Sequence, residues 1–428
     1  MEVPRLALLL PALLGGSALT KPLPAPVELY VQSGQIATPS PLAKYEPPAG
    51  CYVGIWADLN SPAGQADLEQ VNRAVGSHAV YFRYNFFRKP ENSNPWSPFF
   101  PAAFVQKLAG DTAAIHLAVE PRIPLKEVTE DLVREWARQA RNMNQPIFMR
   151  WASEFNDSVN NWSKDPALYR EKFRMVARIM HEEAPNVAMV WTPMAFTDIK
   201  SVIDYYPGQE FVDWVGITLY SKYYWNGDPA KVTVNMLPTE RLETLYHTFS
   251  GRHPIQVSEY AAEHHSASSS RDLSAFATSK MQQFYFNIML KYPRIKNINW
   301  LNFDMTAADE YKGYAVTRRA NYNLLKSSSV LKTYQHILSE PYFLKTFRAA
   351  SKYSYVPFPN TTGKDVQVLS YVGDARVSSV RYFLDGVLVQ KSTVAPYRIQ
   401  LRNLKTGRHI LRAVANVGRP VEQTFMVR

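Results

Sequence analysis

Two glutamates are the residues of this chain best placed to do chemistry. Glu154 lies near the end of the run Ile147-Phe-Met-Arg-Trp-Ala-Ser-Glu-Phe-Asn156, and Glu259 near the end of Pro254-Ile-Gln-Val-Ser-Glu-Tyr260. Both runs are apolar and read as β-strands. A strand buried in a parallel sheet is close to an uninterrupted hydrophobic run. A carboxylate at its end is costly unless it is paired or used. Two of them, on two strands, suit double displacement at a glycosidic bond. One attacks as an ionised nucleophile; the other protonates the leaving oxygen and then takes a proton from water. The plain alternative is that each glutamate only pairs with a nearby arginine. Arg150, four residues before Glu154 and on the same strand face, sets the local charge.

Such a pair needs a frame. Between residues 51 and 303 eight strand-like runs occur: Cys51–Leu59, Ala79–Phe87, Ile115–Ile123, Ile147–Asn156, Val187–Met194, Val212–Tyr220, Pro254–Ala262 and Ile295–Phe303. Helical patterns lie between many of them. In Leu125–Met143, Val128, Leu132, Trp136 and Ala140 recur at helical spacing. Asp165–Glu183 carries one apolar face behind an Asp-Pro start, and Arg271–Tyr292 and Leu324–Leu338 follow. Strands alternating with helices imply a parallel sheet. Eight units predict an α/β fold of the closed (β/α)8 barrel type, where working residues sit at the C-terminal ends of the strands. An open doubly wound sheet is the alternative, but its glycine-rich phosphate turn is absent.

After about Phe347 the pattern changes to short alternating runs separated by turns such as Asp385-Gly386 and Thr406-Gly407. This predicts a small all-β sandwich of immunoglobulin-like size. The expected organisation is a signal peptide over 1–20, a Pro-rich leader over 21–44, a barrel over 45–345 and the sandwich over 346–428.

Several segments resemble glycoside hydrolase family 26, the β-mannanase family of retaining glycosidases. Arg150-Trp-Ala-Ser-Glu154-Phe-Asn156 is similar to that family's Arg-x-x-His-Glu-Met-Asn segment. Tyr205-Tyr-Pro-Gly-x-x-Phe-Val-Asp-Trp-Val-Gly-Ile217 is similar to its approach to the sixth strand, Trp191-Thr-Pro193 to its fifth strand end, Pro47-Pro-Ala-Gly-Cys-Tyr-Val-Gly54 to its first strand, and Trp300-Leu-Asn302 to its eighth. The resemblance spans roughly residues 45–340. It implies Glu154 as general acid/base and Glu259 as nucleophile, with Tyr220 holding Glu259 in line and Trp300 flooring the reacting subsite. Arg150, Asn156, Trp162, Trp191 and Trp225 complete the expected substrate-binding set. The chain departs from the family at Ser153, where the family has His, and at Asp157, where it has Gly. These departures point to a reshaped cleft.

The aromatic rings allow two readings. Trp151 and Trp214 fit the core, whereas Trp162 and Trp225 sit in loops and fit sugar platforms. Tyr223-Tyr224-Trp225 reads as an exposed aromatic loop. In Glu263-His264-His265 neighbouring side chains point apart, so a loop role is expected rather than a metal site. No zinc spacing, nucleophile elbow or phosphate loop is present, and no metal or cofactor is expected.

The chain has 428 residues with 46% hydrophobic and 20% charged, which excludes disordered and fibrous classes. Arg5, the apolar run Leu6–Leu14 and Gly16-Ser17-Ala18 read as a secretory signal, too short to span a bilayer. Cys51 is the only cysteine, so no internal disulfide forms. Export without disulfides suits a bacterial extracellular or surface enzyme. The Asn156-Asp157-Ser158 sequon sits against Glu154, where a glycan would block the site. Nearly all the net charge of +11 lies in Lys345–Arg428, with 14 Lys and Arg against 4 Asp and Glu. That favours contact with an anionic wall or acidic polymer, or else a merely solvated basic face. Nucleic acid is not an expected partner, and a monomer is expected. The expected function is a secreted retaining endo-β-glycanase acting on a β-linked polysaccharide such as mannan. The alternatives are β-1,3-xylan, mixed-linkage glucan or exopolysaccharide cleavage, and non-catalytic polysaccharide binding.

Overall fold

The computed structural model describes residues 26–34, 41–57, 62–94, 98–196, 198–269, 271–307, 319–374 and 376–428. The expected signal peptide lies outside the described residues, as do residues 21–25 and 35–40 of the leader.

Eight parallel strands close into a barrel. In chain order they are Cys51–Trp56, Val80–Phe87, Ala114–Pro121, Ile147–Trp151, Val187–Trp191, Trp214–Ser221, Ile255–Ala262 and Ile295–Trp300. We refer to them as the first to the eighth barrel strand. Each pairs with the next, and the eighth closes on the first through Asn297 opposite Tyr52. The short strand Phe343–Leu344 adds beside the first.

The helices form because their sequences both start and bury well. Glu130–Met143 is capped by Thr129 Oγ1, which accepts the Leu132 N–H, and it buries Val133, Trp136, Ala137 and Ala140. Asp165 caps Pro166–Glu183 in the same way through the Leu168 N–H. Ser274–Lys291 and Ser328–Leu338 complete the outer layer of long helices on the C-terminal side.

The barrel interior is layered. At the N-terminal end Phe148, Trp214, Phe347, Tyr52 and Tyr45 form an aromatic plug. Above it the lining turns polar. Thr192 Oγ1 lies 3.2 Å from Ser258 Oγ, and Ser258 donates to Gln256 Oε1 at 3.0 Å. Gly216 has no side chain because a Cβ there would come within 2.1 Å of Thr192 Oγ1 and 2.4 Å of Ser258 Oγ. The polar layer supports the charged layer at the C-terminal mouth.

A two-sheet β-sandwich follows the barrel. One sheet runs Ser354–Pro357, Val27–Ser33, Val366–Val372, Tyr397–Leu401; the other runs Thr361–Thr362, Val421–Val427, Gly407–Ala415, Val380–Leu384, Val387–Ser392. Their facing side chains, among them Val368, Ile399, Tyr382, Leu411 and Phe425, form a second core. Here the structure differs from the sequence reading, which put residues 27–33 in a Pro-rich leader. They form a strand between Ser354–Pro357 and Val366–Val372. Val27, Leu29 and Val31 face the sandwich core, and this period of two is what a half-buried strand requires.

Candidate active site

The fourth barrel strand ends at Trp151, three residues before Glu154. Ala152 and Glu154 both take left-handed backbone conformations, with φ of 46° and 55°. Such conformations are unfavourable for residues with a Cβ and persist only where the surroundings enforce them. The enforcement is visible. Ala152 N–H donates to Val119 O at 2.9 Å, and Glu154 N–H donates to Thr192 O at 2.8 Å. The turn is therefore tied to the third strand and to the end of the fifth. Glu154 reaches the barrel mouth through this turn, not by continuing strand alternation from Arg150.

Glu259 is positioned by a bulge in the seventh strand. Val257 lies opposite Ile217 but Glu259 lies opposite Thr218, so Ser258 is an extra residue. A bulge re-aims a side chain. Here Ser258 and Glu259 both face the barrel, while Tyr260 turns outward and stacks on Phe284 at 3.7 Å.

Three donors hold the Glu259 carboxylate, which is 2% exposed. Tyr84 Oη donates to Oε2 at 2.8 Å, Tyr220 donates to the same oxygen, and Arg150 Nη2 donates to Oε1. Arg150 is itself buried and donates from Nη1 to Thr218 Oγ1 at 3.2 Å. Burial, then the charge of Glu259, pushes the Tyr84 and Tyr220 hydroxyls far above their ordinary range, so both stay protonated donors.

Glu154 is electrostatically the opposite case. Burial first, and the nearby Glu259 charge second, raise its carboxyl to about 7, against weaker opposition from Arg150 and a hydrogen bond from Thr218. At the barrel mouth one carboxyl is thus gripped by cationic and phenolic donors while its neighbour retains a proton near neutrality. This is the division of labour that acid/base and nucleophile roles require.

A third carboxyl, Glu120, closes the third strand. Burial raises it, and Arg122 donates to it at 3.1 Å. The sequence reading passed over Glu120, Tyr84 and Thr218. Glu120 could have been found by the criterion that found the other two, since it is a lone carboxylate ending an apolar strand. Tyr84 follows from alternation with Phe82, which packs inside the barrel against His116.

Of the remaining expected substrate-binding residues, Trp225 is the one that keeps an open face. It is 41% exposed and lines a cavity of about 260 Å³ with Thr218, Tyr220 and Arg241. Tyr224 beside it is buried, so the expected exposed aromatic loop reduces to Trp225 and a half-buried Tyr223.

Three expectations are corrected. Trp191 points outward from its strand, is fully buried, and stacks on Phe155 at 4.9 Å. Trp300 also points outward: its indole packs on Tyr260 and Tyr334 and donates to Tyr322 O at 3.1 Å, so it floors no subsite. Trp162 is buried, and its Nε1–H donates to Ser153 O at 2.7 Å, bracing the Glu154 turn. Asn156 uses both side-chain atoms on one residue. Its Nδ2 donates to Met194 O and its Oδ1 accepts Met194 N–H, each at 2.8 Å. It clamps the turn to the fifth-strand loop.

The Glu263-His264-His265 segment is spent on loops. Glu263 Oε1 accepts Tyr223 N–H, and His264 Nε2 contacts Asn323 O at 3.0 Å.

Comparison with known proteins agrees with this geometry. The model of glycosyl hydrolase family 26 matches residues 122–248, which contain the Glu154 turn and Tyr220; Glu259 lies just beyond. Two solved structures share the fold. An endo-β-1,4-mannanase double mutant from Cellulomonas fimi aligns with a TM-score of 0.50 at 15% identity, covering 89% of this chain and 94% of that one. A modular endo-β-1,4-mannanase from the same organism aligns with a TM-score of 0.50 at 14% identity, covering 88% and 94%. A β-1,3-xylanase from Vibrio sp is 27% identical over 95 residues. That match takes in 21% of this chain and 20% of the xylanase. Residues 122–248 of this chain thus resemble glycosyl hydrolase family 26, within a barrel whose fold two mannanases share.

Proposed function

We propose that this protein is a secreted retaining endo-β-glycanase. Glu259 attacks the anomeric carbon while Glu154 protonates the leaving oxygen. Glu154 then draws a proton from the water that releases the glycosyl-enzyme. Tyr220, Tyr84 and Arg150 hold Glu259 by both oxygens, fixing its orientation before substrate arrives. The observation that carries the reading is the contrast between the two carboxyls: one held by three donors, the other raised to about 7 beside it.

The substrate we propose is a β-linked polysaccharide of mannan type. The similarity to a β-1,3-xylanase favours β-1,3-xylan as the second reading. Residues 45–345 form the catalytic unit in this proposal. The basic residues after Lys345 supply contact with an anionic wall polymer, for a chain that works as a monomer at or outside the cell surface.

The test is a panel of β-glycans with Glu259→Gln and Glu154→Gln. The first variant loses cleavage of every glycan. The second recovers turnover with azide, giving a glycosyl azide of the substrate's own anomeric configuration. Cleavage unaffected by Glu259→Gln, or a first product of inverted configuration, refutes the reading.

A further inference from the structure

The cavity beside Tyr220 differs from the barrel mouth in its charge. It is bounded by the loops after the fifth and sixth strands and by the start of the helix Glu240–Phe249. Arg241, Lys222 and Lys280 line it, and among the described residues none of its lining is acidic. Lys222 stands beside Glu263. Among the described residues Arg241 has no such partner. Its Nη2 donates to Ala195 O at 3.1 Å, and its guanidinium lies 5.5 Å from the centroid of the Trp225 ring. Burial lowers its pKa with no carboxylate acting on it. Lys280 is 2% exposed and donates to two backbone carbonyls, Val234 O and Met236 O, while burial pushes it down to about 8 against the charge of Glu240.

A cation drawn partly out of water without an anionic partner is costly. Cations are kept in such positions where a ligand supplies the missing charge. A planar guanidinium beside an aromatic face suits a carboxylate better than a neutral hydroxyl, because its donors form a fork that matches two oxygens. Tyr220 reaches both places, since it lines this cavity and donates to Glu259. A ring bound here is therefore adjacent to the reacting one.

We infer that the cleft selects glycans bearing a uronic acid, whose carboxylate is received by Arg241 next to Trp225 at the subsite beside Tyr220. The inference rests on the glycan-cleaving reading of Glu154 and Glu259 and names its substrate class. Neutral backbones still fit the catalytic carboxyls, but they leave Arg241 unpaired.

The test is calorimetric titration of full-length Glu259→Gln protein with two matched pairs. One pair is a β-1,4-mannuronate hexamer and mannohexaose; the other is a β-1,4-glucuronate hexamer and cellohexaose. The acidic member of at least one pair binds about tenfold tighter or more than its neutral partner, as one charged hydrogen-bonded contact provides. Adding Arg241→Gln removes that preference without weakening the neutral ligand, and Arg241→Lys restores part of it. Equal binding within both pairs, or a preference that survives Arg241→Gln, overturns the inference. Binding is read apart from turnover, so a failure here is distinct from a failure of the nucleophile assignment, which Glu259→Gln alone decides by cleavage.

Discussion

Replacing Thr218 with valine isolates one of the influences that set the proton on Glu154. Thr218 lies on the sixth strand opposite Glu259, and its hydroxyl donates to Glu154 while accepting from Arg150 Nη1. Valine keeps the shape and removes the donor. The hydrogen bond favours ionised Glu154, so its loss raises a carboxyl already at about 7. A hydrogen bond to a charged group is worth about 1.5–3 kcal/mol, and one pH unit is about 1.36 kcal/mol. The carboxyl should therefore move up by roughly one to two pH units, reduced if water replaces the hydroxyl. In the proposed mechanism Glu154 acts in its protonated form, so kcat/KM falls on the alkaline side of its pKa. In the parent protein this limb should lie near 7; in Thr218→Val it should lie at higher pH. Thr218→Ser retains the donor and should keep the parent limb. The assay is kcat/KM against pH on the best-cleaved glycan of the panel. A Thr218→Val limb that stays in place or moves to lower pH refutes the account of Glu154.

Other outcomes follow from residues of the expected binding set. Asn156→Ala removes both bonds to Met194 and should destabilise the protein by about 1–3 kcal/mol, read as a lower denaturant midpoint. Trp300→Ala leaves a cavity behind a fully buried indole and should cost about 3–5 kcal/mol in the same assay. Trp225→Ala, on an open rim, should leave the thermal midpoint within a degree or two while weakening glycan binding measurably in calorimetry. A chain beginning at residue 41 lacks the strand between Ser354–Pro357 and Val366–Val372, and should lose sandwich protection in hydrogen exchange before barrel protection.

The barrel was legible because its strands are apolar runs spaced by amphipathic helices, a pattern that survives without knowledge of any contact. Glu154 and Glu259 were legible because charge at the end of such a run conflicts with burial. Direction was harder. Trp191 and Trp300 look like sugar platforms by residue type and position, yet each sits at an odd step from inward Val190 and Asn299, and odd steps face the helices. Strict alternation would have corrected both. It would have failed at the seventh strand, where the bulge at Ser258 shifts the count. Asn156 could not be placed by any local rule, because its partner is the backbone of Met194 on another loop. Glu120 was readable and passed over.

The strand Val27–Ser33 also bears on how the molecule is assembled. Ser33 meets Ser354 across roughly 320 intervening positions, with the whole barrel threaded between. In synthesis from the N-terminus, this strand is made long before its neighbours. The barrel can close on sequence-adjacent contacts, while one sandwich sheet awaits residues 354–401. Such long-range pairing folds slowly and leaves an unpaired edge exposed in the meantime. Pairing Val27–Ser33 with Val366–Val372 makes the barrel an insert held at both ends, so a nick within it would not separate those two strands.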